Sequence, residues 1–89
     1  MAADRLTIDS TTLFDNADEL RVEFAADAGD QRQAFAVPYD TLRALSGIDP
    51  VTEPVALVRQ YDEQLSVAGA RAFGRDEDQA MVVIGESDL

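Results

Sequence analysis

The chain has 89 residues, 18 of them acidic and 7 basic, and a formal net charge of −11. It contains no Cys, His, Lys or Trp, so every basic side chain is an arginine. That composition removes the imidazole base, the thiol and amine nucleophiles and the usual transition-metal ligands together, and its acidity is repelled by nucleic-acid phosphates and anionic membranes.

A chain of this length holds one core, so residues 1–89 are expected to form a single domain. With 46% hydrophobic and 28% charged residues it has the composition of a globular domain. Without Cys, no disulfide supplements the packing. The arginines stand singly at Arg5, Arg21, Arg32, Arg43, Arg59, Arg71 and Arg75, which leaves no basic patch. Ala2 to Arg5 lacks the basic and apolar regions of a secretion leader, and no apolar run approaches the ~20 residues of a membrane span. A cytoplasmic protein is expected. Arg without Lys fits GC-rich coding or adaptation to high salt, and neither bears on function.

In chain order, Leu6-Thr7-Ile8 alternates as a short strand, and Asp9 to Thr12 reads as a turn. Leu13-Phe14 is an isolated apolar pair, expected to plug one edge of the core before Asp15-Asn16-Ala17-Asp18 turns again. Leu20 to Phe24 alternates as a half-buried strand. With residues 27–30 as the loop and Gln31 to Val37 as the next strand, Val22 faces Phe35, Leu20 faces Val37 and Phe24 faces Gln33. This gathers Leu20, Val22, Phe24, Phe35 and Val37 on one face. The other face carries Arg21, Glu23, Ala25, Arg32, Ala34 and Ala36, half charged and half very small.

Pro38 ends that strand, since it has no amide donor. Tyr39 to Ser46 reads as a short helix closed by Gly47 in the left-handed position. A long helix of about 21 residues is expected from Thr52 as N-cap, with Glu53 in the first turn and Gly74 as the stop. Its apolar stripe is Leu57, Val58, Tyr61, Leu65, Ala68 and Ala72. After the charged loop Arg75 to Gln79, Ala80 to Ile84 is apolar without alternation. Such a run reads as a strand covered on both faces, usually a central one. The predicted core is Phe24, Phe35, Leu57, Tyr61, Leu65, Val82 and Ile84.

The chemical motifs are sparse. Gly69 to Gly74 holds two glycines but no Lys, and lies on a predicted helix rather than in a phosphate loop. The two carboxylate clusters, Asp76-Glu77-Asp78 and Asp15-Asn16-Ala17-Asp18, lack the ligand spacing of a calcium loop and read as solvated turns. Ser, Thr and Tyr have no His or Lys to activate them. No catalytic, cofactor-binding or metal-ligating residue is therefore named.

From about Leu20 onward the chain resembles the short bacterial domains grouped as the domain of unknown function 1488 family. The matching pieces are Val22-Glu23-Phe24, Ala36-Val37-Pro38-Tyr39-Asp40-Thr41-Leu42, Leu45-Ser46-Gly47, a long helix carrying Leu65, Ala68 and Ala72, and Val82-Val83-Ile84 followed by Ser87-Asp88-Leu89. The resemblance implies a small α+β domain and brings no activity, cofactor or catalytic residue. Pro38-Tyr39 replaces that family's usual polar cap.

The expected fold is α+β, a two-layer sandwich in the order β-β-β-α-α-β. A mainly antiparallel sheet of three or four strands carries one long and one short helix. The expected function is a non-enzymatic interaction or regulatory module without a cofactor, binding neither nucleic acid nor membrane. A small carboxylate-based ligand- or metal-binding domain is the alternative, and an enzyme stands behind it. One helix covers one face of a sheet, so Met81 and Val83, or else Val82 and Ile84, would meet water in a monomer. A homodimer is expected to cover them, with Ala68, Gly69 and Ala72 as a second contact surface. A folded-over N-terminal segment carrying Leu6, Ile8, Leu13 and Phe14 is the other possible cover.

Overall fold

The computed structural model describes residues 5–89 and is an α+β sandwich of one sheet and one helical layer. The strands are β1 (Thr7–Ile8), β2 (Phe14–Asn16), β3 (Arg21–Ala28), β4 (Gln31–Pro38) and β5 (Met81–Val83). Between β4 and β5 run three helices, α1 (Tyr39–Ser46), α2 (Pro54–Gln60) and α3 (Asp62–Arg75). The sheet is four strands wide. β1 and β2 share one edge, both antiparallel to β3, then come β4 and β5. Only β4 and β5 are parallel.

The β3–β4 hairpin is the longest pairing, and its register differs from the expected one by two residues. Val22 lies opposite Val37 and Phe24 opposite Phe35. The cause is the turn, which shrinks to Gly29-Asp30 between the paired Ala28 and Gln31. Gly29 takes φ +67°, as the first residue of a tight two-residue hairpin requires. A shift of two keeps every side chain on its face, so the buried face survives the change. It now extends through Ala26 and Ala28. Leu20 leaves it: it sits in the preceding turn at φ 55°, exposed, and its carbonyl accepts from the Tyr39 amide.

The expected long helix is two helices. Tyr61, at φ −105° and ψ 25°, separates them. Backbone bonds from the Tyr61 amide to Leu57 and from the Leu65 amide to Tyr61 run unbroken across it, so the break is a kink rather than a loop. Asp62 and Glu63 then occupy a second helix start, where the macrodipole favours anions. α2 begins at Pro54 with Glu53, not Thr52, as its cap residue. Gly74 does not stop α3, which runs on to Arg75. α1 ends as expected, with Gly47 at φ 73° donating to the Arg43 carbonyl.

The core lies between the helices and one face of the sheet. Phe35, Leu65, Val82 and Ile84 are fully buried, with Phe24 and Leu57 nearly so, whereas Tyr61 is half-buried at the kink. Phe24 and Phe35 stack with ring centroids 5.7 Å apart, and Phe73 tilts against Phe35 at 6.4 Å. Ala68, Gly69 and Ala72 are buried in this core and cannot serve as an intermolecular surface. Leu6 takes the space they leave: a Cβ on Gly69 would overlap Leu6 Cδ1, and the Leu6 amide donates to Ser66 O at 3.0 Å.

The strand β5 is an edge strand, not the central one its apolar run suggested. Its residues alternate after all. Val82, followed by Ile84, points into the core, while Met81 is half-exposed and Val83 exposed.

Candidate functional site: the open face of the sheet

All three helices pack on the face that carries Val22, Phe24, Phe35, Val37 and Val82. Strand alternation sends the remaining residues to the opposite face, and cross-strand pairing sets them in rows. One row reads Phe14, Glu23, Ala36, Val83 across β2, β3, β4 and β5. The next reads Ala25, Ala34, Met81. The rows that flank these are polar, Asn16, Arg21, Pro38 on one side and Thr7, Asp27, Arg32 on the other.

Among the described residues the N-terminal segment does not cover this face. Leu6, Ile8 and Leu13 pack with the helical side. Phe14, expected to plug the core edge, projects from the open face and is 56% exposed, because β2 adds to β3 as a strand and alternation turns it outward. At the far end of its row Val83 is 42% exposed. Between them in that row lie Glu23 and the fully covered Ala36, and the adjoining row holds Ala25 and Ala34, so the face has a shallow floor beside Glu23 and taller apolar side chains at its two edges.

Charges on this face are largely paired. Arg21 and Glu23 form an ion pair at 2.8 Å, and the Asn16 amide donates to the same carboxylate at 2.9 Å. The Asn16 amide and then the Arg21 guanidinium hold the Glu23 carboxyl below its ordinary range. Arg32 pairs with Asp9 at 2.7 Å and faces Asp27 at 3.7 Å. Asp9 also accepts from the Thr11 hydroxyl and amide, and these bonds together with Arg32 hold its carboxyl down at about 2. On β3, β4 and β5 the outward charged residues are Arg21, Glu23, Asp27 and Arg32, two of each sign, in a chain whose net charge is −11. The negative excess sits elsewhere.

The carboxylate clusters do not assemble. Asp15 and Asn16 are neighbours on β2 and therefore point to opposite faces: Asp15 accepts from the Tyr39 hydroxyl on the helical side, while Asn16 joins Glu23 on the open side. Asp76 pairs with Arg75, and Glu77 and Asp78 lie exposed in the loop. Among the described residues no group of three or more acidic side chains could hold a metal ion.

One polar cluster carried no local sequence signal. Asp88, almost fully buried, accepts from Arg75 at 2.6 Å and from the Gly85 amide at 2.9 Å, while Arg71 donates to its carbonyl at 3.0 Å. Arg75 also donates to the Val83 carbonyl at 3.3 Å, so its guanidinium lies along the outer edge of β5. That contact protects an edge which would otherwise present free backbone groups.

No family model, curated protein or solved structure matches the chain. The resemblance to the domain of unknown function 1488 family therefore assigns no role to any residue of this face. Among the described residues no helix is long and apolar enough to cross a membrane.

Proposed function

We propose that the chain is a non-enzymatic cytoplasmic interaction module that assembles with a second copy of itself through the open face of its sheet. The observation that carries this reading is the composition of that face. An antiparallel sheet with one solvated side normally alternates apolar-in with polar-out. Here the centre of the solvated side is Ala25, Ala34, Met81 and Val83 around the fully covered Ala36, with Phe14 beyond Glu23. A contiguous apolar patch of this kind marks an interaction surface. Its ion pairing weakens the objection that two copies of so acidic a chain would repel, since Arg21 and Arg32 offset most of the charge of Glu23, Asp9 and Asp27 there. Glu23 enters such an interface already satisfied by Arg21 and Asn16, which limits the cost of burying it.

Sedimentation equilibrium at micromolar concentration tests the reading. The expected mass is twice the 9.7 kDa of the chain. Val83→Glu places a charge on an exposed apolar site of the patch, and it should return the protein to a monomer with an unchanged far-ultraviolet circular dichroism spectrum. A wild-type protein that stays monomeric would defeat the proposal.

A further inference from the structure

We infer that the two copies pack face to face about a two-fold axis that runs parallel to the strands, between β3 and β4, so that Phe14 of each copy covers Val83 of the other. This inference rests on the self-association proposed above and specifies its geometry. Homodimers are overwhelmingly two-fold, and a two-fold interface must be complementary to itself. Stacked sheets keep their strand directions roughly aligned, which leaves an axis along the strands or one across them.

An axis along the strands places β3 of one copy over β4 of its partner and β2 over β5. The row Phe14, Glu23, Ala36, Val83 then meets its own reverse. Phe14 lies over Val83 and Glu23 lies over Ala36. In the adjoining row Ala25 lies over Ala34, and Met81 comes over the break between the two edge strands. In the outer polar row Asp27 lies over Arg32 and Arg32 over Asp27. Opposite charges therefore meet twice. Asp27, about half exposed and only loosely paired to Arg32 at 3.7 Å within one copy, keeps capacity for the contact, while Arg32, also about half exposed, already holds Asp9 at 2.7 Å. Arg21 lies over Pro38, away from any like charge.

An axis across the strands fares worse wherever it falls. Through the Phe14 row it sets Glu23 against Glu23. Between the two apolar rows it sets Phe14 over the break beside β2 and leaves that large ring, 56% exposed in one copy, without an apolar partner. Only the axis along the strands covers both exposed apolar ends of the row without setting Glu23 against Glu23.

The absence of cysteine makes the geometry directly readable. Phe14→Cys and Val83→Cys are prepared separately, mixed, and treated with a bifunctional thiol reagent reaching roughly 8 Å, suited to sheets stacked about 10 Å apart. Intact-mass spectrometry then distinguishes mixed from like pairs. The expected product joins one Phe14→Cys chain to one Val83→Cys chain, and neither variant treated alone yields a linked pair. Linked pairs within the Phe14→Cys sample alone would overturn the arrangement in favour of an axis across the strands. No linked product from variants that sediment as dimers would place the interface elsewhere and defeat the geometry. Wild-type protein that sediments as a monomer would defeat the underlying self-association instead. Asp27→Arg with Arg32→Asp supplies a second readout. Asp27→Arg alone should weaken the dimer severalfold, and adding Arg32→Asp should recover part of that loss even though it breaks the Arg32–Asp9 pair, an outcome that a purely structural role for one residue would not give.

Discussion

The sheet shows one set of strands making two unlike surfaces. On the inner face, large side chains fill the middle: Phe24 stacks on Phe35, and Val22, Val37, Val82 and Ile84 close around them with almost no exposure. On the outer face the apolar residues of the middle strands are alanines beside the Arg21–Glu23 pair, and the large apolar residues stand at the edges, where Phe14 and Val83 are exposed. The inner face is finished within one chain. The outer face has the apolar content of a packing surface without a second layer. Alternation alone creates both, so the difference lies only in which residue type occupies each parity of β3, β4 and β5.

Substitutions at matched positions should separate the two faces sharply. Phe35→Ala removes a fully buried ring and should cost about 3–5 kcal/mol in urea unfolding. In the monomeric Val83→Glu background, Ala34→Ser on the outer face should stay within about 0.5 kcal/mol of its parent. If both cost the same, the outer face is part of the monomer's core and the contrast fails.

Asp88→Ala sharpens the comparison at the β5 edge, where the two faces meet. It removes a buried acceptor that serves both Arg75 and the Gly85 amide. The expected loss is roughly 1–3 kcal/mol, with faster hydrogen exchange at Gly85 than at the hairpin amides. An unchanged Gly85 exchange rate would show that the carboxylate does not hold this segment.

A smaller, pH-dependent effect distinguishes the two sides of β2. The Tyr39 hydroxyl donates to the Asp15 carboxylate, and that bond, with burial, pushes the phenol from 10.0 up to about 12. A group whose folded value is raised contributes stability that is complete below the ordinary value and lost as pH climbs through the folded one. The difference in stability between wild type and Tyr39→Phe should therefore be constant below pH 10 and shrink toward pH 12. A constant difference across that window would mean the bond does not form in solution. Asp9, on the other flank of the sheet, has the opposite sign. Its stabilisation should be complete above pH 4 and fade as the pH falls toward about 2.

What was readable in the sequence follows the range of the forces involved. Alternation at Val22, Phe24, Phe35 and Val37 and helical spacing at Leu57, Val58, Leu65, Ala68 and Ala72 are local signals, and both faces they define are buried as expected. Gly47 marked its helix end because its left-handed backbone is a local demand. Register was less accessible, since two turns of different length satisfy the same alternation. The role of the Ala80 to Ile84 run was misread because its outward residues, Met81 and Val83, are apolar too, so an edge strand looks like a central one. The stripe at Ala68, Gly69 and Ala72 looked like a surface because nothing near it in sequence reveals that Leu6 fills it. The open face itself was half legible: its alanines and Val83 were identified, but Phe14 joined them only through a pairing that local pattern does not disclose. Asp88 and Arg75 meet through tertiary structure alone.

The parallel pairing of β4 with β5 has a consequence for how the chain is made. Gln33 bonds to the Ala80 carbonyl, 47 residues on, and all three helices are synthesised in between. Contacts this distant in sequence form slowly, because the closure entropy is spent before the contact rewards it. On the ribosome the hairpin and helices emerge first, and the free edge of β4 waits for the last strand. Until Met81 to Val83 arrives and Arg75 and Asp88 close over it, a nascent chain offers that edge to any neighbour.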